Sequence, residues 1–230
     1  MATFVLVHGA WGGGWCWKPI VGRLREHGHT VYTPTLTGVG ERSHLMGPDI
    51  DLDTQITDVV NVMKWEDLTD VVLCGHSYGG MVISGVAEQM ESAISSIIYL
   101  DAFLPDDGKS LADYVDPGQT AMHRKLAEEG RAEPFPAAIF DPNDTALAAI
   151  AKKLTPHPAK CFVQPVKQTG ARDRIAKKTY VYASNWQGPF KQFRDRLASD
   201  SSWRVIDVDC GHMVMMELPD RTIEILEEAV

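Results

Sequence analysis

Gly75-His76-Ser77-Tyr78-Gly79 sets one serine between two glycines, with the apolar run Val71-Val72-Leu73-Cys74 before it and the stretch Met81 to Ala87 after it. A run of that kind is a strand, and the stretch that follows it is a helix. The chain must therefore reverse from strand to helix within a few residues, which pushes the serine hydroxyl out above the sheet as an exposed nucleophile. The chemistry of such a hydroxyl is acyl transfer through a covalent intermediate. It requires donors for the oxyanion that develops on the attacked carbonyl, and a base for the hydroxyl proton.

The first apolar run, Phe4 to Val7, ends in His8-Gly9-Ala10-Trp11. A tight loop here, beside the elbow, offers the backbone N–H of Ala10, and the residue after the serine offers that of Tyr78; these two are the expected oxyanion donors. Gly12-Gly13-Gly14 continues the loop, but without the G-x-G-x-x-G or G-K-[ST] pattern of a phosphate cradle. Eight histidines compete for the base. His8 and His76 sit inside the two loop motifs and are expected to orient backbone. His27, His29 and His123 lie on polar stretches and read as surface, while His44 and His157 lie in loops that could line a pocket. His212 follows the last apolar strand in the turn Cys210-Gly211-His212, and is the expected base.

The elements that must hold these residues alternate. Strands are expected at 4–7, 30–33, 71–74, 94–100, 179–183 and 203–208. Helices are expected at 17–27, 52–65, 77–90, 189–197 and 219–229. Repeated strand–helix units predict an α/β fold, a mostly parallel sheet with helices on both faces. Residues 103–170 break the pattern with many prolines, short amphipathic stretches and no clear strand, and read as an inserted helical cap on a single domain, 1–230. The composition is that of one globular unit, 44% hydrophobic and 23% charged. A net charge of −9 opposes binding to nucleic acid or anionic membranes. The N-terminus lacks a basic start, no apolar stretch reaches bilayer length, and the cysteines Cys16, Cys74, Cys161 and Cys210 are scattered; the expectation is a cytoplasmic protein with reduced thiols.

Phe4 to Trp11, Gly75 to Met81 and Gly211-His212-Met213 resemble the plant methylesterase and hydroxynitrile lyase group of α/β hydrolases and its bacterial esterase-like relatives. The resemblance implies the α/β-hydrolase fold, Ser77 and His212 in the catalytic positions, no metal or organic cofactor, and hydrolysis of a small-molecule ester or carbamate. A lyase using the same serine site, or a receptor that holds its ligand, are the alternatives. The lyases of the group carry threonine where this chain has Gly9 and lysine where it has Met213, which favours the esterases.

A third departure concerns the acid that orients the histidine. In the plant enzymes it lies after the next-to-last strand, where this chain reads Ala183-Ser184-Asn185-Trp186-Gln187-Gly188, without a carboxylate. Asp101, closing the strand Ile97-Ile98-Tyr99-Leu100 beside the elbow, is the expected replacement; Asp207, Asp209 and an uncharged Asn185 are its rivals. Trp11, Met213 and Trp186 are expected to touch substrate. Trp15, Trp17, Met122, Phe135, Phe140 and Phe162 are further candidates for an apolar pocket.

Overall fold

The structure, a computed structural model, describes residues 1–134 and 150–230. In chain order the elements are β1 (Thr3–Val7), α1 (Lys18–Glu26), β2 (Thr30–Tyr32), α2 (Leu52–Trp65), β3 (Val71–Ser77), α3 (Gly79–Met90) and β4 (Ile94–Ala102). After β4 come α4 (Pro117–Glu129), β5 (Arg131–Ala132), β6 (His157–Pro158), α5 (Lys160–Val163) and α6 (Ala171–Arg174). The chain ends β7 (Lys177–Ala183), α7 (Lys191–Leu197), β8 (Arg204–Val208), α8 (Val214–Glu217) and α9 (Pro219–Glu228).

Six strands form one sheet in the order β2-β1-β3-β4-β7-β8. Every neighbouring pair is parallel, with Val7 opposite Gly75 and His76 opposite Leu100. The inner strands β1, β3, β4 and β7 are buried on both faces, as in other parallel sheets. Val5, Val7, Leu73, Ile97, Tyr99 and Tyr180 pack on one face with residues of α2, α3 and α7. Phe4, Leu6, Val72, Cys74, Ile98 and Val181 pack on the other with residues of α1 and α9. From β1 the chain first turns outward to β2, then returns past β1 to β3 and β4. The loops after β1 and β3 therefore lie side by side at the carboxyl edge, the switch point where open α/β sheets bind ligands.

Local chemistry sets the helix ends. Asp51 caps α2 by accepting from Thr54 N at 2.9 Å, and Asp116 caps α4, followed by Pro117 at its first position. No side chain caps α3 at the elbow. Two differences from the sequence expectation have plain causes. Helix α3 starts at Gly79 and not at Ser77, because Ser77 has φ of 55°, outside the right-handed region. The stretch expected to hold no strand contains a two-residue antiparallel pair, with Arg131 opposite Pro158 and Ala132 opposite His157. Pairs that short carry no periodicity. All four cysteines are free and buried. No described helix is long and apolar enough to cross a membrane.

The elbow tolerates no side chain at Gly79. A Cβ there would lie 2.7 Å from Val7 O and 2.8 Å from His8 O, both backbone atoms of the neighbouring strand and loop. Gly79→Ala should lower the unfolding free energy by about 1–3 kcal/mol, the cost of overpacking a close-packed interior; urea unfolding of the two proteins measures it.

Candidate active site

Ser77 ends β3 in the left-handed region, φ 55°, and its carbonyl accepts from Phe103 N at 3.1 Å. A serine in that conformation costs energy that the surrounding hydrogen bonds and packing must offset. The loop after β1 passes directly over it. A Cβ added at Gly9 would meet Ser77 Cβ at 2.9 Å and His76 Nδ1 at 3.0 Å. The absence of a side chain at position 9 lets the loop come this close to Ser77. The loop is fixed from inside by His8, whose Nδ1–H donates to Gly9 O at 2.7 Å while Nε2 accepts from Leu36 N at 3.1 Å. Both bonds require a neutral imidazole, and burial lowers the His8 pKa to about 4.

His212 lies in the turn after β8. Its Nδ1 is 2.7 Å from Asp101 Oδ2. Asp101 is fully buried, sits at φ 42° where β4 ends, and its Oδ1 accepts from Ala183 N, the last residue of β7, at 3.1 Å. Both carboxylate oxygens are thus engaged, and the second fixes which way the first points. With Asp101 on Nδ1, Nε2 is the ring nitrogen left to face the cavity. His76 supports the turn: its Nε2–H donates to His212 O at 2.9 Å, and its ring centroid lies 4.5 Å from that of His212. Burial, and then the neighbouring His212, push the His76 pKa well below the ordinary value, so it stays neutral. Glu217, on α8, accepts from Gly211 N at 2.7 Å. Trp186 and Phe190 both stack on the His212 ring, at 5.0 and 5.2 Å between centroids.

Ser77, His212, Ala10 and Tyr78 line one cavity of about 970 Å3. Its walls are largely aromatic and apolar, including Trp11, Phe103, Phe162, Trp186, Phe190 and Met213.

The structure thus brings Ser77, His212, Asp101, Ala10, Tyr78, Trp11, Met213 and Trp186 to one place. Of the rivals of Asp101, Asp207 pairs with Arg194, while the exposed Asp209 and Asn185 line the cavity without taking the place of Asp101 on His212 Nδ1. Other expectations fail. His123, read as surface, is buried against Phe162 and lines the cavity. Its polar neighbours in sequence hid a packed inner face of α4. Trp17 is core, and Met122 is exposed; neither lines the cavity, nor does Trp15. His44 is exposed, and His157 lies buried behind the wall. Phe135 and Phe140 fall outside the described residues. Sequence reasoning missed Phe190 and Glu217; the first was hidden at a helix start, the second in a short helix that no apolar period announced.

Comparison with known proteins agrees with this architecture. A carbendazim hydrolyzing esterase of Nocardioides sp. (strain SG-4G) is 38% identical, over 97% of this chain and 98% of its own length. Methylesterase 1 of Arabidopsis thaliana is 32% identical over 57% of this chain and 51% of its own. Among solved structures, an extracellular alpha/beta-hydrolase from a Paenibacillus species, described as sharing structural and functional homology with tobacco salicylic acid binding protein 2, superposes with a TM-score of 0.86 at 28% identity. That match covers 100% of this chain and 99% of the other. The family described as the alpha/beta hydrolase family matches residues 4–225, and this chain belongs to it.

Proposed function

We propose that this ester hydrolase works through Ser77 as nucleophile, His212 as general base and acid, and Asp101 as the acid that orients the histidine. The observation that carries the reading is the 2.7 Å contact between His212 Nδ1 and the fully buried Asp101 carboxylate, in a cavity that also contains Ser77. Ser77 Oγ attacks the substrate carbonyl as its proton passes to His212 Nε2, and the oxyanion is held by the N–H groups of Ala10 and Tyr78. The leaving group departs with the proton that His212 returns. Water, deprotonated by the same nitrogen, then cleaves the acyl-enzyme. Asp101 stabilises the imidazolium in both halves.

The substrate is a small ester or carbamate with an apolar, flat portion. The aromatic walls support this, as do the names of relatives that hydrolyse carbendazim and, from Sphingobium wenxiniae, a pyrethroid. Trp11, Met213 and Trp186 are the proposed substrate contacts. The described residues between β4 and β7 act as the cap over them, with Leu111, Tyr114, His123 and Phe162 among the cavity walls. Cyanohydrin cleavage is disfavoured by Gly9 and Met213, which stand where the lyases carry threonine and lysine.

A fluorophosphonate probe tests the reading directly. The native protein should be labelled stoichiometrically, the added mass mapping to the peptide that contains Ser77, and Ser77→Ala should not label. Absence of labelling on the native protein would favour a receptor. Turnover of a panel of aryl esters, methyl esters and carbamates then ranks the substrates.

A further inference from the structure

The residue after the proposed oxyanion donor Ala10 is strained. Trp11 has φ of 62°, a conformation that a tryptophan occupies only when neighbours hold it there. Those neighbours come from the cap. Trp11 N donates to His157 Nδ1 at 3.2 Å, Trp11 O accepts from Thr155 N at 3.0 Å, and Trp11 Nε1 donates to Ala132 O at 3.0 Å. Its ring also packs edge-on to Phe162, 5.6 Å between centroids. The partners lie 121 to 146 residues away in sequence on the hydrogen-bonded links to Ala132 and His157, and Ala132 and His157 face each other across the β5–β6 pair. Thr155 adds a tie to a third loop, its Oγ1 accepting from Gly40 N at 2.8 Å.

We infer that His157 is a positioning residue of the oxyanion hole: the cap, through His157 and the β5–β6 pair, holds Trp11 in its left-handed conformation and so aims the preceding N–H of Ala10 at the reacting carbonyl. The inference rests on the hydrolase reading of the site. Its reasoning is geometric. Ala10 N–H lies in the Gly9–Ala10 peptide plane and Trp11 N–H in the next, the two joined at Ala10 Cα, so anchoring the Trp11 backbone restricts the Ala10 dihedrals that set where the Ala10 donor points. On its inner side the loop is fixed by His8 and by the contact of Gly9 with Ser77. On its outer side the described attachments of the Trp11 backbone are those to His157 and Thr155.

The histidine is suited to that task and poorly explained by packing alone. To accept from Trp11 N, Nδ1 must be bare, so the ring proton sits on Nε2. That nitrogen is buried with no hydrogen-bond partner among the described residues. An apolar ring would avoid the unpaired N–H and keep the stacking on Phe162, 4.8 Å between centroids and 16° between planes. Burial keeps the imidazole neutral and its acceptor available. The cap thereby does two things at once, shaping the substrate cavity with Phe162 and setting the donor beneath it.

The test compares His157→Phe, which keeps the stacked ring and deletes the acceptor, with His157→Asn, whose side-chain oxygen can take the place of Nδ1. For an aryl ester, His157→Phe should lower kcat about 10- to 100-fold with KM little changed, the scale of a displaced catalytic donor; His157→Asn should recover most of that loss. The readout that a merely structural role would not move is a pair of inhibitors. A trifluoromethyl ketone adds Ser77 Oγ to its carbonyl, passing the proton to His212 and placing an oxyanion in the hole; the parent methyl ketone binds without that charge. His157→Phe should weaken the fluorinated ketone in proportion to the loss of kcat and leave the methyl ketone unchanged. Should His157→Phe fail to fold, His157→Leu, which likewise deletes the acceptor at a residue that does not line the cavity, should show the same loss with the same selectivity. Native-like kcat in these variants, or equal weakening of both ketones, overturns the inference. A native enzyme that binds the two ketones equally would instead overturn the serine-hydrolase reading on which it rests.

Discussion

Ser77→Ala should lower kcat by about five to six orders of magnitude while the protein keeps its fold, the scale at which removal of a serine nucleophile acts. That corresponds to about 7–8 kcal/mol of transition-state stabilisation, at ~1.36 kcal/mol for each tenfold change. The covalent route needs an oxygen on this Cβ, and no neighbouring group replaces it: His76 is turned to the His212 carbonyl and Tyr78 OH donates to Gln55 Oε1 at 2.7 Å. Alanine keeps the Cβ that packs beneath Gly9 and meets the same backbone strain at φ 55°, so the urea midpoint should stay close to that of the native protein. Steady-state hydrolysis of an aryl ester, with the same preparation tested for folding, reads both quantities. Retention of a substantial rate in the pure variant would remove Ser77 from the mechanism.

The parts of this site that were legible in the sequence are those built by local rules. The elbow is one: strand, glycine, serine, glycine and helix lie within twenty residues, and only one backbone path serves them. Asp101 was legible for a related reason. It closes a strand, and the chain order puts that strand beside the elbow, where β3 and β4 do pair. His212 followed from the same logic at the end of β8. Contacts between distant segments left no such trace. His157 touches Trp11 across 146 residues, and no periodicity marks a two-residue strand. His123 sits among polar residues on α4, and only the packing of that helix against Phe162 shows which of its faces is inside. The stretch that the sequence read least well, between β4 and β7, is also the one that shapes the cavity.

Asp101→Asn should cost about 10³–10⁴ in kcat, the scale of removing the acid of such a constellation. The hydrogen-bond pattern supplies the reason. The carboxylate accepts twice, from Ala183 N at 3.1 Å and from His212 Nδ1 at 2.7 Å, which places the imidazole proton on Nδ1 and leaves Nε2 free to take the Ser77 proton. Asparagine has one acceptor and one donor end. If its oxygen stays with Ala183 N, its amide N–H groups face Nδ1, and the ring must move its proton to Nε2. That tautomer cannot accept from serine, and the imidazolium formed in the transition state loses its buried countercharge as well. The alternative orientation leaves the Ala183 N–H facing a donor in a fully buried place, which is costly. Size and shape are nearly conserved, so the loss should appear in kcat with little change in KM. The rivals set the contrast. Asp209→Asn alters an exposed carboxylate at the cavity rim, and Asn185→Ala leaves intact the backbone bond from Asn185 N to Cys210 O at 3.1 Å. Both variants should stay within about tenfold of the native rate, far from the loss expected of a displaced triad acid. A near-native kcat in Asp101→Asn, or a loss at Asp209 that matches it, would move the acid to another residue.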